Sequence, residues 1–183
     1  MPVTKKSKAA FTIARARLPL SKADHAEWLR MRVGLWPEEK RRELDNNRAV
    51  FAERPDRNAV FFARRADGRL GGFLEASLRE YAEGCATSPV GFLEGWWVDP
   101  DLRRAGVGRA LVGAAEAWAI ERGCVEMGSD TEAYNVGSQV AHAALGYDAE
   151  QMVSFWKRLK PGKPSVVARG RVTFAKVRAS RKA

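Results

Sequence analysis

The 183-residue sequence holds only two cysteines, and no stretch approaches the roughly 18 uninterrupted apolar residues of a membrane helix. Cys85 and Cys124 allow at most one disulfide, and without a Cys-x-x-Cys pair or a Cys/His cluster the sequence offers no metal site. Both cysteines read as small buried residues, although Cys85 lies in a polar stretch. The opening "MPVTKKSKAAF" is basic but has no apolar signal core, so the expected location is the cytoplasm, with no membrane partner. No internal repeat is visible.

Acids are missing from both ends. Residues 1–10 carry Lys5, Lys6 and Lys8, and residues 161–183 carry Lys163, Arg169, Arg171, Lys176, Arg178, Arg181 and Lys182. Of the 32 basic residues these ten lie in the ends, and the remaining 22 face all 22 acids. The net charge of +10 therefore belongs to the ends, and the segment 11–160 is formally neutral. Both ends are expected to be disordered tails, the C-terminal one with a weak extra strand as the alternative. They are expected to give weak, non-specific attraction to polyanions and no specific nucleic-acid site. Residues 11–160 are expected to form one domain.

Along that domain "FTIARA" alternates as a first strand, and Ser21, three residues before Asp24, opens a helix running to Trp36. Pro37 starts a second, polar helix. "AVFFARR" and "LGGFLEASLRE" flank Asp67-Gly68 as a hairpin. "FLEGWWV" at 92–98 is the fourth strand, and the next helix has apolar positions Val107, Leu111, Ala114, Ala115 and Trp118, closing at Gly123. "CVEMGSD" is a strand, "NVGSQVAHAALG" a helix and "QMVSFWKRL" a last strand. The expected order is β-α-α-β-β-β-α-β-α-β.

A carboxylate inside "FLEGWWV" needs a partner, because burying one alone is costly. Strand alternation places Glu94 with Phe92, Trp96 and Val98, and Trp97 on the other face. Such a carboxylate can pair with an incoming ammonium and take its proton, or it can be satisfied by a nearby Arg or backbone N–H groups. "DLRRAGVGRALV" then carries Gly106 and Gly108 where a strand hands over to a helix, with Arg103, Arg104 and Arg109 around them: a cradle for phosphate or pyrophosphate. It lacks the Gly-Lys-Ser/Thr ending of a P-loop and the three-glycine Rossmann spacing. Asp130 either contacts a substrate or caps the turn through Thr131 and Glu132.

Arg103-Arg104-Ala105-Gly106-Val107-Gly108 is similar to the (Arg/Gln)-x-x-Gly-x-(Gly/Ala) signature of the GNAT N-acetyltransferase superfamily. More narrowly, "FLEASLREYAEGCATSPVGFLEGWWVDPDLRRAGVGRALV", "GCVEMGSDTEAYNVGSQVAHAALGY" and Leu35-Trp36 resemble aminoglycoside 6'-N-acetyltransferases, over residues 11–160. The resemblance implies an α/β (α+β) GNAT fold with a mixed, twisted sheet splayed between strands four and five, and acetyl-CoA in the split. It implies backbone contacts from Trp96, Trp97 and Val98 to the pantetheine arm and from Arg104, Ala105, Gly106, Val107, Gly108 and Arg109 to the pyrophosphate, with Asn135 as a further coenzyme contact. For the acceptor it points to Trp36, Tyr81, Glu94 and Asp130, and it implies a homodimer.

The sequence departs from the pattern in three places. His142 stands where many members have the tyrosine that protonates the departing thiolate, and histidine can do the same near neutral pH. Gln151, beside Glu150, stands where a further acidic contact is expected, and Glu38 and Glu39 stand where a histidine often follows the Leu-Trp-Pro turn. With no Cys or Ser expected beside a base, the reading is direct acetyl transfer. Transfer to another amine, or nucleic-acid binding through the tails, are the competing functions.

Overall fold

The computed structural model describes residues 11–45, 51, 54–155 and 157; the tails at 1–10 and 161–183 lie outside the described residues. The elements are β1 (Phe11–Arg15), α1 (Lys22–Leu35), β2 (Asn58–Arg65), β3 (Leu70–Arg79), β4 (Val90–Val98), α2 (Val107–Ile120), β5 (Met127–Ser129) and α3 (Val136–Ala143). A short 3-10 turn, Pro100–Leu102, joins β4 to α2. The sheet order is β1-β2-β3-β4-β5, antiparallel through β4 and parallel between β4 and β5.

Helices cover both faces of this mixed sheet. Trp28 and Met31 of α1 pack on Val60, Phe62, Leu70 and Phe73. Val107, Leu111, Val112, Ala115 and Trp118 of α2 pack on Phe61, Ala63, Leu74, Ala76 and Leu93. Because β2 is covered on both sides, it reads as a continuous apolar run and not as an alternation. Ser21 caps α1 as expected, its Oγ accepting the Asp24 N–H at 3.0 Å, while the Asp24 carboxylate reaches across to Arg64 at 2.9 Å. Gly68, with φ 85°, makes the β2–β3 turn.

Three expectations change. Residues 37–40 form a turn, with the Glu39 N–H bonded to the Trp36 carbonyl, so the second helix begins at residue 41 and not at Pro37; its continuation past 45 is largely outside the described residues. Of the expected last strand at 151–159, residues 156, 158 and 159 lie outside the described residues and 151–155 form no strand, with Met152, Val153 and Phe155 61%, 76% and 92% exposed.

The third change concerns Glu94. Ala76 pairs with Leu93 and Glu75 with Gly95, so Glu94 is an extra residue, a β-bulge that resets the alternation. Leu93, Trp96 and Val98 therefore face α2, while Trp97 packs toward α1 and Glu94 bonds to Ser77 on that same α1 face. The expected grouping of Glu94 with Trp96 and Val98 does not hold.

Candidate active site

β5 accompanies β4 for three residues, ending at the pair Leu93–Ser129. From Glu94 to Val98 the β4 edge on that side carries no strand among the described residues, leaving main-chain groups for an extended ligand to join. Beyond it, Arg104 (φ 63°) and Gly106 (φ 89°) adopt left-handed backbone, which turns successive N–H groups toward one point. α2 starts at Gly106 without a side-chain cap, and its first internal bond is Ala110 N–H to the Gly106 carbonyl. The N–H groups of Val107, Gly108 and Arg109 thus have no partner among the described residues and sit at the positive end of the helix. The geometry fits a pyrophosphate continued by an amide-bearing arm.

The two glycines have different reasons. A Cβ at Gly106 would meet nothing within 4 Å, but the positive φ favours glycine there. A Cβ at Gly108 would come 2.6 Å from Trp96 Cζ2, so this glycine makes room for the indole and not for a ligand. The arginines are partly engaged by the protein: Arg103 Nε donates to the Val98 carbonyl at 3.1 Å, and Arg109 donates to the Ala144 carbonyl at 2.9 Å. Asn135 caps α3, its Oδ1 accepting the Ser138 N–H at 3.1 Å.

On the α1 face Glu94 is held from three directions. Arg79 donates Nε–H to Oε1 at 3.0 Å and an Nη2–H to Oε2 at 2.6 Å, and Ser77 Oγ donates to Oε1 at 2.6 Å. The Arg79 guanidinium lies over the Phe92 ring, 3.3 Å from its centroid. With 27% of its side chain exposed, Glu94 is reachable by a solute. Trp36 lies over Gly95, where a Cβ would meet its Cη2 at 2.6 Å, and it is held from behind by Arg32, whose guanidinium is 4.6 Å from the ring. Arg32 pairs with buried Glu75, which also accepts the Trp28 indole N–H at 2.8 Å. Burial pushes the Glu75 carboxyl up, against Arg32 and Trp28. Asp130, next after the last β4–β5 pair, is exposed and makes no hydrogen bond among the described residues, so it does not cap the following turn. Tyr81, 66% exposed, follows β3 two residues after Arg79.

His142 sits where β4 and β5 part. Its Nδ1 is 2.8 Å from the Ser138 carbonyl and its Nε2 is 3.0 Å from Ser129 Oγ. Trp96 and Tyr147 box the ring edge-on at 5.6 and 5.4 Å. Burial, and then the Glu116 carboxylate, push the Tyr147 phenol above its ordinary range, so it stays neutral. The expectation that no serine stands beside a base needs correction: β5 brings Ser129 to His142 from 13 residues away.

Arg79, Ser77 and Ser129 are the site residues that sequence reading missed. Alternation along β3 puts Ser77 and Arg79 on one face, and Ser129 adjoins Asp130, so a signal existed for each. At the far end of β4, buried Asp99 accepts from Arg30 at 3.0 Å, from Arg65 at 3.0 Å and from the Trp97 indole N–H at 3.0 Å. Burial pushes its carboxyl up, but these donors prevail and hold it below the usual range. The described residues contain no group of three His, Cys, Asp or Glu suited to a metal, and no helix long and apolar enough to cross a membrane.

Comparison with known proteins matches the acetyltransferase (GNAT) family model to residues 23–147. An aminoglycoside N(6')-acetyltransferase type 1 of Klebsiella aerogenes is 44% identical over 144 residues, covering 76% of this chain and 93% of the relative. One from Stenotrophomonas maltophilia is 44% identical over 143 residues, covering 76% and 90%. Among solved structures, AAC(6')-Iy in complex with the bisubstrate analogue CoA-S-monomethyl-acetylneamine superposes with TM-score 0.72 at 35% identity, covering 82% of this chain and 99% of that one. These matches, with the parted β4–β5 pair and the glycine turn before α2, place the chain in the GNAT acetyltransferase family, among the aminoglycoside N(6')-acetyltransferases.

Proposed function

We propose that the protein transfers the acetyl group of acetyl-CoA to the 6'-amine of aminoglycosides, by direct attack of the amine. The observation that carries this reading is the convergence at the last β4–β5 pair. Glu94 and Asp130 follow Leu93 and Ser129 directly, and His142 is bonded to Ser129 in the same opening. The relatives bearing this activity in their names match nearly their whole length, which supports carrying it over.

The free edge of β4 at Trp96, Trp97 and Val98 would hold the pantetheine arm, and the N–H groups from Arg104 to Arg109 the pyrophosphate, with Asn135 a further contact. The coenzyme supplies a thioester, an acyl carbon open to amine attack. Glu94 and Asp130 draw the polycationic acceptor in, and Trp36 and Tyr81 cover the apolar faces of its sugar rings. Glu94, saturated on Oε1 by Ser77 and Arg79, keeps room on Oε2 for one more donor, so it meets the ammonium there and takes its proton directly or through water. A main-chain N–H near Val98 polarises the acetyl oxygen, and His142 returns a proton to the sulfur.

Coenzyme A release measured across an amine panel tests the reading. Turnover is expected with kanamycin- and tobramycin-type amines. Turnover with a polyamine or a protein amine alone would move the activity to another acceptor. The exposed apolar residues Met152, Val153 and Phe155 favour a second copy of the chain as their cover, a homodimer of about twice 20.3 kDa by light scattering. We place the reaction in the cytoplasm, where acetyl-CoA is made.

A further inference from the structure

The geometry assigns Ser129 as the positioning residue of His142: its hydroxyl turns between two hydrogen-bonded settings as the imidazole gains and loses its proton. This rests on the reading of His142 as the acid that protonates the departing thiolate. Nδ1 lies 2.8 Å from the Ser138 carbonyl and 3.3 Å from Ser138 Oγ; the carbonyl oxygen is the nearer and only accepts, so the proton belongs on Nδ1. Nε2 is then the nitrogen whose proton varies, and the side chain facing it is Ser129, with Oγ at 3.0 Å. Oγ is also 3.4 Å from the Leu93 carbonyl, the residue paired with Ser129 across β4 and β5.

A hydroxyl both donates and accepts, so each charge state of the ring has a complete set of partners. With the ring protonated, Nε2–H donates to Oγ, and Oγ–H donates to the Leu93 carbonyl. With the ring neutral, Oγ–H turns to Nε2. When His142 acts, its Nε2–H, shared between Ser129 Oγ and the sulfur beside it, passes to the sulfur: the Nε2–H bond breaks, an S–H bond forms and the electron pair left on Nε2 accepts the Ser129 O–H. Ser129 keeps its own proton throughout. The two aromatic rings at 5.6 and 5.4 Å offer the imidazole no competing hydrogen bond through their faces and edges, which leaves its aim to Ser129 and Ser138.

The same pair could instead be read as a nucleophile and its base. The Leu93 carbonyl argues against this, since a carbonyl oxygen beside Oγ opposes the negative charge that builds on Oγ as its proton leaves.

The chain's two histidines make the test clean, because His25→Asn leaves His142 as the sole imidazole in a nitrogen NMR spectrum. Steady-state kinetics and that spectrum are compared for Ser129→Ala, Ser129→Thr, His142→Gln and the Ser129→Ala/His142→Gln double variant. Ser129→Ala is expected to lower kcat about tenfold, with both KM values held within about twofold, and to move the Nε2 resonance. Ser129→Thr is expected to restore both, and the double variant to be no slower than His142→Gln alone. A full-rate Ser129→Ala with an unmoved Nε2 resonance, alongside a slow His142→Gln, would overturn the role of Ser129 only. A wild-type rate in His142→Gln would remove His142 as the acid, and the proposal with it. A covalent acetyl on Ser129 after incubation with acetyl-CoA would make it a nucleophile and overturn its positioning role.

Discussion

Glu94 is a partly buried carboxylate aimed by Arg79 and Ser77, with room on Oε2 for one more donor. The carboxylate inside an apolar strand announces itself in "FLEGWWV", yet its partner Arg79 lies 15 residues upstream, and nothing in the amino-acid pattern marks the bulge that aims it. The sequence identified the residue and left its surroundings open, including the arginine pairing that it named as one alternative. Glu94→Gln keeps the shape and the hydrogen bonds to Arg79 and Ser77 in part, but removes the charge. Its kcat/KM for an aminoglycoside is expected to fall about 100-fold or more, while KM for acetyl-CoA stays level. Wild-type kinetics in this variant would remove Glu94 from the chemistry. His142 was legible through the resemblance, at the position of the family's tyrosine, whereas Ser129 became meaningful only once β5 had carried it to the imidazole.

Among the elements, helices and hairpin were the most legible, because caps and turns are local: Ser21, Gly68 and Gly123 stand where the chain needs them. The sheet's far edge was less so, since β5 is three residues long and residues 151–155 form no strand, outcomes decided by what packs alongside. Two glycines separate the halves of the site. Gly95→Ala would drive a methyl to 2.6 Å from Trp36 Cη2 and displace the indole from β4, so KM for the acceptor is expected to rise while KM for acetyl-CoA holds. Gly106→Ala instead forces a side chain into left-handed backbone at φ 89°, at a cost of about 1 kcal/mol, and is expected to raise KM for acetyl-CoA about fivefold. Equal effects of both changes on both substrates would contradict this division of the cleft.

For the whole molecule, Asp99 ties the end of β4 to α1 through Arg30 and to β2 through Arg65. Asp24, bonded by Arg64, is depressed as well, its hydrogen bond outweighing burial. A carboxylate depressed in the folded state contributes stability that is present above its unfolded value near 3.9 and is lost as pH falls through the folded value. Acid unfolding is therefore expected to begin below about pH 4. Asp99→Ala, which removes the carboxylate that Arg30, Arg65 and the Trp97 indole share while leaving Glu27 to Arg30 and Asp101 to Arg65, is expected to cost about 2 kcal/mol in a denaturant titration at pH 7, and to flatten the acid dependence. An unchanged midpoint would mean that this junction contributes nothing to stability.

The account as a whole is tested most directly by giving the protein, with acetyl-CoA, a matched pair of aminoglycosides that differ only in carrying an amine or a hydroxyl at the 6' position. The expected result is one coenzyme A released per 6'-amine, with NMR placing the acetyl group on that nitrogen, and no comparable turnover of the 6'-hydroxyl compound. Equal turnover of both compounds, or acetylation at another nitrogen, would contradict it.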